Sequence, residues 1–114
     1  MTGDRRRLGA RGEDLAARWY AASGYQLLDR NWRCAEGEID LICRMGAMVV
    51  VCEVKTRRSN AFGSPAEAVT AAKRARLRRL AARWLREHDV HCATVRFDVA
   101  AVVGEQVQVV AAAW

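Results

Sequence analysis

The chain has 114 residues, of which 52% are hydrophobic and 28% are charged. This composition is typical of one globular domain of ordinary size and excludes a disordered or low-complexity chain. The formal net charge of +6 comes mainly from arginine, whose planar guanidinium suits phosphate recognition, so the charge favours a polyanionic partner.

Membrane and secretion signals are missing from the sequence. No run of about 18 apolar residues appears, and the basic residues near the N-terminus are not followed by an apolar segment. The four cysteines, Cys34, Cys43, Cys52 and Cys92, do not have metal-ligand spacing. We therefore expect reduced thiols in a cytoplasmic protein that folds as a single domain over residues 1–114.

The predicted elements follow one another as α-β-β-β-α-β-β. Apolar residues at helical spacing predict a first helix over residues 8–23, which Gly24 ends, and a first strand follows at 25–32. A hairpin occupies residues 37–55. A second helix is predicted from Ser64, as N-cap, with Pro65 at its first position, to Glu87. Strands at 94–103 and 106–110 complete an α/β fold with a mixed central sheet flanked by helices.

The hairpin brings acidic residues together. If Gly46-Ala47 form a two-residue type II′ turn, paired residues have numbers that sum to 93. Asp40 then lies opposite Glu53, and Glu38 opposite Lys55, with all four side chains on one face. Carboxylates facing each other at about 5 Å destabilise a sheet unless a cation lies between them. The register therefore predicts a cation site.

The hairpin strands are apolar on both faces, which indicates central strands of a covered sheet. Ile42, Val49 and Val51 are expected on the face of the carboxylates. Ile39, Leu41, Val50 and Val54 are expected on the other face. The carboxylates would then lie at the ends of buried strands, where an unneutralised pair is costly.

Two interpretations of this carboxylate and lysine set stay open from spacing alone. Asp40 and Glu53 offer the oxygen ligands that Mg²⁺ prefers, and Lys55 could position a water or offset charge on a phosphate. The set would then suit metal-assisted hydrolysis of a phosphodiester. Alternatively, Lys55 neutralises Glu53 and Glu38 in a structural salt-bridge cluster.

Away from the hairpin, Asp98 is expected to pair with Arg96 in a structural role.

The second helix is strongly basic. Its core-facing stripe is predicted from Val69, Ala72, Leu77, Leu80 and Trp84, so most of its cations face water. Lys73, Arg74 and Arg76, with the loop residues Arg57 and Arg58, are candidate nucleic-acid contacts. If this surface contacts about six phosphates, its affinity for DNA should fall about 10³-fold when the salt concentration rises from 50 to 200 mM. There are two alternatives to a nucleic-acid interface. The basic helix face is only solvated, or it binds an acidic protein.

Several motifs resemble the YraN family of small bacterial proteins. They run in order through nearly the whole chain: RGEDLA at 11–16, NWR at 31–33, GEIDL at 37–41, EVKTR at 53–57, FG at 62–63, KR at 73–74 and RFD at 96–98. That family is assigned to the restriction-endonuclease-like fold and is similar to Holliday-junction resolvases of the PD-(D/E)xK group. Ile39 stands where that motif has proline.

The resemblance implies roles for particular residues. Asp40 and Glu53 would bind Mg²⁺ or Mn²⁺, Lys55 would be the catalytic lysine, and Glu13 an additional acidic residue of the site. It also implies a homodimer, because the similar resolvases act as dimers. The expected function is metal-dependent cleavage of DNA, with branched or otherwise structured DNA as one candidate substrate. The alternative is a non-catalytic nucleic-acid-binding module that keeps the nuclease fold.

Overall fold

The computed structural model describes residues 2–57 and 69–114, with side chains from Leu8 onward. The elements are α1 (Thr2–Ala22), β1 (Gln26–Cys34), β2 (Gly37–Met45), β3 (Met48–Arg57), α2 (Ala71–Glu87), β4 (Thr94–Val103) and β5 (Gln106–Val110). The predicted order and both C-terminal strands are confirmed. No helix in these two ranges is long and apolar enough to cross a membrane.

The five strands form one mixed sheet in the order β1-β2-β3-β4-β5. Neighbouring strands are antiparallel except β3 and β4, which are parallel. Parallel neighbours need a crossover connection, and α2 lies within it. The hairpin strands β2 and β3 are therefore inner strands of the sheet, as predicted.

The hairpin has the predicted register. Pairs run from Met45 with Met48 to Leu41 with Cys52, and each pair sums to 93. Gly46 has a φ of +59°, the positive value that the first central residue of a type II′ turn requires. The regular ladder ends at Leu41 and Cys52, one residue before Asp40 and Glu53.

Two buried apolar layers cover the faces of the sheet. The α2-side core packs Leu77, Leu80 and Trp84 of α2 against strand residues that include Ile42 and Val51. The α1-side core is made of Ala16, Tyr20, Leu41, Cys43, Val50, Cys52 and Ala100. Cys43 and Cys52 are buried in this core, where a free thiol behaves as a small hydrophobic group.

The alternation of side chains breaks at Asp40, and the prediction for Ile39 is wrong. Ile39 belongs to the α2-side core together with Ile42, although the two are three residues apart. Leu41 between them belongs to the α1-side core. Opposite this point, Asn31 of β1 has a φ of +55°, so the regular pleat is interrupted in both strands. A period of two holds only in an unbroken strand.

The predicted start of the second helix is also wrong. Thr70 is the N-cap, with extended backbone (φ −67°, ψ 160°), and its side chain accepts a hydrogen bond from the backbone N–H of Lys73. The helix therefore begins at Ala71, and Ala72 is exposed instead of facing the core. Ser64 and Pro65 lie outside the described residues.

Candidate functional site

Asp40 and Glu53 lie at the point where the β2–β3 ladder ends. Glu53 is 7% exposed and belongs to the buried part of the sheet. Asp40 is anchored by its Oδ2, which accepts a hydrogen bond of 2.8 Å from the backbone N–H of Val54. This bond from one hairpin strand to the other takes the place of a regular ladder contact. It holds the Asp40 carboxylate beside β3, where Glu53 is the preceding residue.

Two lysines contact one oxygen of Glu53. Lys73 Nζ of α2 lies 2.6 Å from Glu53 Oε1, and Lys55 Nζ lies 3.5 Å from the same atom. The contact with Lys55 follows from its position two residues along β3. The contact with Lys73 is absent from the predictions, which gave that residue only a role in binding nucleic acid. Its signals in the sequence are its place in the basic stretch of α2 and the KR motif at 73–74, and neither predicts a contact with Glu53.

Glu38 differs from its predicted position. It forms an ion pair of 3.0 Å with Arg33, its registered partner in β1, and not with Lys55. The reason is that the β2–β3 ladder ends before Glu38, whereas the β1–β2 ladder continues past it. Glu38 nevertheless lies close enough to Asp40 for its negative charge to raise the pKa of Asp40.

Glu13 reaches the site from α1. Burial raises its pKa, although Arg30 and a hydrogen bond from Asn31 oppose the rise. Its Oε2 atom is buried and has no hydrogen-bond partner in the described part of the chain. Arg30 Nε forms a long ion pair with Oε2 at 3.8 Å, too far for a hydrogen bond. A buried carboxylate oxygen without a hydrogen bond is costly, so a cation or a closer donor would stabilise it.

The four carboxylates Glu13, Glu38, Asp40 and Glu53 form what we call the acidic cluster. Burial is the largest cause of the raised pKa of Asp40, followed by the charge of Glu53, with smaller contributions from Glu13 and Glu38. The hydrogen bond from Val54 acts in the opposite direction, and the pKa reaches about 7. The cluster is therefore short of positive charge around Asp40, although Glu53 has two lysines.

The acidic cluster supplies hard oxygen donors, which suit Mg²⁺ or Mn²⁺. In the arrangement seen here, no three acidic, histidine or cysteine side chains of residues 8–57 and 69–114 converge as a ready-made metal site. Asp40 is directed to the Val54 N–H and Glu53 to its lysines. The donor chemistry fits a cation, and so does the Glu13 oxygen, which has only the long ion pair with Arg30 and no hydrogen bond. A bound cation would replace these internal contacts.

A narrow cleft opens beside Glu53, with a volume of about 180 Å³. It is lined by Gly37, Glu38, Glu53, Lys73, Arg76, Leu77 and Leu80. Gly37 keeps this space open, because a Cβ atom there would lie 3.3 Å from Leu80 Cδ1 and 3.4 Å from Arg76 Cδ. Its φ of +149° also favours glycine. The cleft thus joins the acidic cluster to the basic face of α2.

The other candidate nucleic-acid contacts lie at different places in the fold. Arg76 lines the cleft beside Glu53, and Arg57 ends β3 two residues after Lys55. Arg74 donates from Nε to the Val69 carbonyl at 3.0 Å, and its guanidinium lies over the ring of Trp114. Arg58 lies outside the described residues.

Asp98 belongs to a different, structural network. Arg96 holds it with Nε at 2.8 Å from Oδ1, and the predicted pair is thus present. Tyr20 donates to Oδ2 at 2.7 Å and the backbone N–H of Ala112 donates to Oδ1 at 3.0 Å. With its side chain fully buried and these partners in place, Asp98 connects α1, β4 and the chain end after β5.

The fold and site define a small α/β protein with a carboxylate and lysine cluster where the ladder between its inner strands β2 and β3 ends. The prediction that the carboxylates lie at the ends of these strands is wrong, because β2 and β3 continue past them. The chain belongs to the family described as uncharacterised protein family UPF0102, whose model matches residues 12–102. The resemblance to the YraN family is thereby confirmed. The matched range includes every residue of the acidic cluster and both of its lysines.

Relatives from several bacteria cover most of the chain. A UPF0102 protein of Beutenbergia cavernae is 59% identical over 96 residues, which is 84% of this chain and 81% of the relative. One from Frankia alni is 60% identical over 95 residues, covering 83% of this chain and 79% of the relative. One from Rhodococcus opacus is 54% identical over 96 residues, covering 84% and 81%.

Proposed function

We propose that this protein is a metal-dependent nuclease that hydrolyses phosphodiester bonds in DNA, with branched or otherwise structured DNA as one candidate substrate. The observation that carries the proposal is the convergence of Asp40, Glu53 and Lys55 where the ladder between two inner strands ends. Glu53 and Lys55 are 3.5 Å apart, and the charge of Glu53 raises the pKa of Asp40.

Asp40 and Glu53 would hold Mg²⁺ or Mn²⁺ in this site. Their carboxylates are the hard ligands that such ions prefer, and Glu13 adds an acidic group with a buried oxygen that has no hydrogen bond. When bound, the ion would polarise a phosphate oxygen and lower the pKa of a water molecule. The like charges of the acidic cluster support this assignment, because a cation relieves their repulsion.

The position of Lys55 supports two contributions to hydrolysis of the phosphodiester. Its ammonium group lies at the edge of the site, with 29% of the side chain exposed, and is therefore accessible to a bound phosphate. It could orient the attacking water or stabilise negative charge as it develops on the phosphate. The DNA backbone would be held by Arg57 at the end of β3 and by Arg76 and the other cations of α2, in keeping with the net charge of +6.

The decisive experiment is a cleavage assay with duplex, single-stranded and four-way-junction DNA in Mg²⁺ or Mn²⁺. We expect Asp40→Asn, Glu53→Gln and Lys55→Met each to lower the cleavage rate by about 10²-fold or more. Asp89→Asn is the matched control, since this side chain is 91% exposed and the substitution makes the same chemical change as at position 40. Wild-type protein that cleaves none of these DNAs, or variants as active as the control, would exclude the nuclease.

A second candidate function is a nucleic-acid-binding module without catalysis. The contact of two lysines with Glu53 favours it, because ion pairs alone can stabilise this buried carboxylate. This candidate predicts salt-sensitive DNA binding that persists in EDTA and is the same for Lys55→Met and wild type. A DNA retardation assay at 50 and 200 mM salt, with and without Mg²⁺, separates the two functions.

A further inference from the structure

Lys73 is fixed near Glu53 by the start of α2. Its backbone N–H donates to the Thr70 side chain in the N-cap at 3.2 Å, so the first turn of the helix sets its position. From there its ammonium group reaches Glu53 Oε1 at 2.6 Å, nearly 1 Å closer than Lys55 Nζ. Burial is the largest single influence on the pKa of Lys73 and lowers it, but the hydrogen bond and charge of Glu53, with smaller contributions from Lys55 and Asp40, together raise it. Lys73 is therefore the main counterion of Glu53.

We propose that Lys73 is an internal counterion that competes with the divalent cation for Glu53. The inference rests on the proposed function, because it takes Glu53 as a metal ligand. In the metal-free protein Lys73 neutralises the buried carboxylate. When the cation binds Glu53, the ammonium group leaves it. Lys73 thereby sets how tightly the site binds metal.

The competition follows from charge and access. A buried carboxylate needs a counterion, and the site can meet this need with an ammonium group or with a metal ion. Keeping both in contact with Glu53 Oε1 would bring like charges together, and their repulsion is strong where water is excluded. Lys73 has a flexible four-carbon stem and 33% of its side chain is exposed. It can therefore move into the cleft beside Arg76, where a DNA phosphate would also be held.

The experiment is a calorimetric titration of the metal-free protein with MgCl₂ at 150 mM salt, without DNA. We expect Lys73→Met to bind Mg²⁺ about tenfold more tightly than wild type, because the competing charge is gone. Lys73→Arg keeps the charge and should stay within about twofold of wild type. Arg76→Met is the matched control: it removes a cation from the same cleft, and screening over about 8 Å should limit its effect to about twofold.

Whether Lys73→Met binds Mg²⁺ more tightly or more weakly than wild type decides between competition and a structural role of Lys73. A lysine that only holds Glu53 in place would give the opposite result, with Mg²⁺ binding weakened in Lys73→Met. Unchanged or weaker binding therefore overturns the inference. Lys73→Gln, which retains a hydrogen-bond donor, is the second variant should Lys73→Met fail to fold, and the same increase in affinity is expected of it.

The same titration separates this inference from the proposed function. If wild type binds Mg²⁺ and Asp40→Asn does not, the metal site exists, and an unchanged affinity in Lys73→Met excludes only the role of Lys73. If wild type, Asp40→Asn and Lys73→Met all fail to bind Mg²⁺, the metal site and the competition are excluded together.

Discussion

Asp40 shows how neighbouring residues determine the chemistry of a single side chain. Its carboxylate is largely buried, lies close to three other carboxylates and receives one hydrogen bond from Val54. Ionised Asp40 is therefore destabilised in the metal-free fold. The same surroundings favour a cation, because positive charge would relieve the repulsion that raises its pKa. An electrostatic cost in the metal-free protein can thus contribute to metal affinity.

This cost gives a prediction about stability and pH. The pKa of Asp40 is raised from 3.8 to about 7, so the folded state binds a proton more tightly than the unfolded state. The contribution of Asp40 to stability is then greatest below pH 4 and falls as the pH rises to about 7. Asp40→Asn removes this loss, which is at most about 4 kcal/mol for such a rise in pKa. Because Asp40 is partly exposed and water screens its charge, we expect the variant to be about 2 kcal/mol more stable than wild type at pH 8. Near pH 4 the two proteins should be equally stable.

The measurement is urea unfolding in EDTA at pH 4, 6 and 8, with Asp89→Asn as the control. The exposed control should differ little from wild type at every pH. A difference between Asp40→Asn and wild type that does not change with pH would mean that the charge of Asp40 is not its cause.

Among the elements, α1 depends on a close approach to β3 at Gly12. A Cβ atom at this position would lie 2.0 Å from Thr56 Oγ1 and 3.2 Å from Thr56 Cβ, distances that require the helix or the strand to move. Gly12 immediately precedes Glu13, so the contact also sets how near Glu13 comes to the acidic cluster. Gly9 lies on the same helix and has nothing within 4 Å of the corresponding position.

Alanine at these two glycines should therefore change stability in opposite directions. We expect Gly12→Ala to lower the free energy of unfolding by about 2 kcal/mol, in the range for overpacking. Gly9→Ala should raise it by about 0.5–1 kcal/mol, because alanine is the better helix former. Urea unfolding of both variants tests the pair. The double variant Gly12→Ala, Thr56→Ala should recover part of the loss, and no recovery would place the strain elsewhere.

The elements that sequence predicted best are those fixed by local signals. The hairpin register followed from the single turn at Gly46, and β4 and β5 followed from apolar runs on either side of Gly104. The start of α2 was wrong because Ser64-Pro65 carries an N-cap signal as good as that of Thr70. Local sequence does not decide between two such signals; packing does.

The residue pattern alone predicted the candidate site only where its residues share a hairpin, whereas Glu13 of α1 came from the family resemblance. Asp40, Glu53 and Lys55 come from adjacent strands, so register alone brought them together. Lys73 comes from α2, and its contact with Glu53 depends on how that helix is placed and rotated on the sheet. The helical periodicity shows which face is apolar, but it does not show which cation lies over which strand end. Ile39 was misplaced because the sequence carries no sign of the break at Asp40.

At the scale of the whole molecule, the two apolar cores share their strands. Leu41 and Ile42 are consecutive in β2 yet belong to opposite cores, as do Val50 and Val51 in β3. If β2 or β3 leaves the sheet, apolar residues of both cores become exposed. The chain should therefore unfold as one cooperative unit, which is the behaviour expected of the single domain over residues 1–114.

The tryptophans provide a probe for each side of the sheet. Trp19 packs against the α1-side core, whereas Trp32, Trp84 and Trp114 belong to or pack against the α2-side core. Fluorescence of Trp19→Phe then reports only the α2 side, and far-ultraviolet circular dichroism reports both helices. We expect the same urea midpoint from both signals, within about 0.2 M, because the shared strands couple the two cores. Separate midpoints would mean that one helix leaves the sheet first, and the acidic cluster, which needs Glu13 from α1 and faces Lys73 from α2, would come apart at the lower of the two.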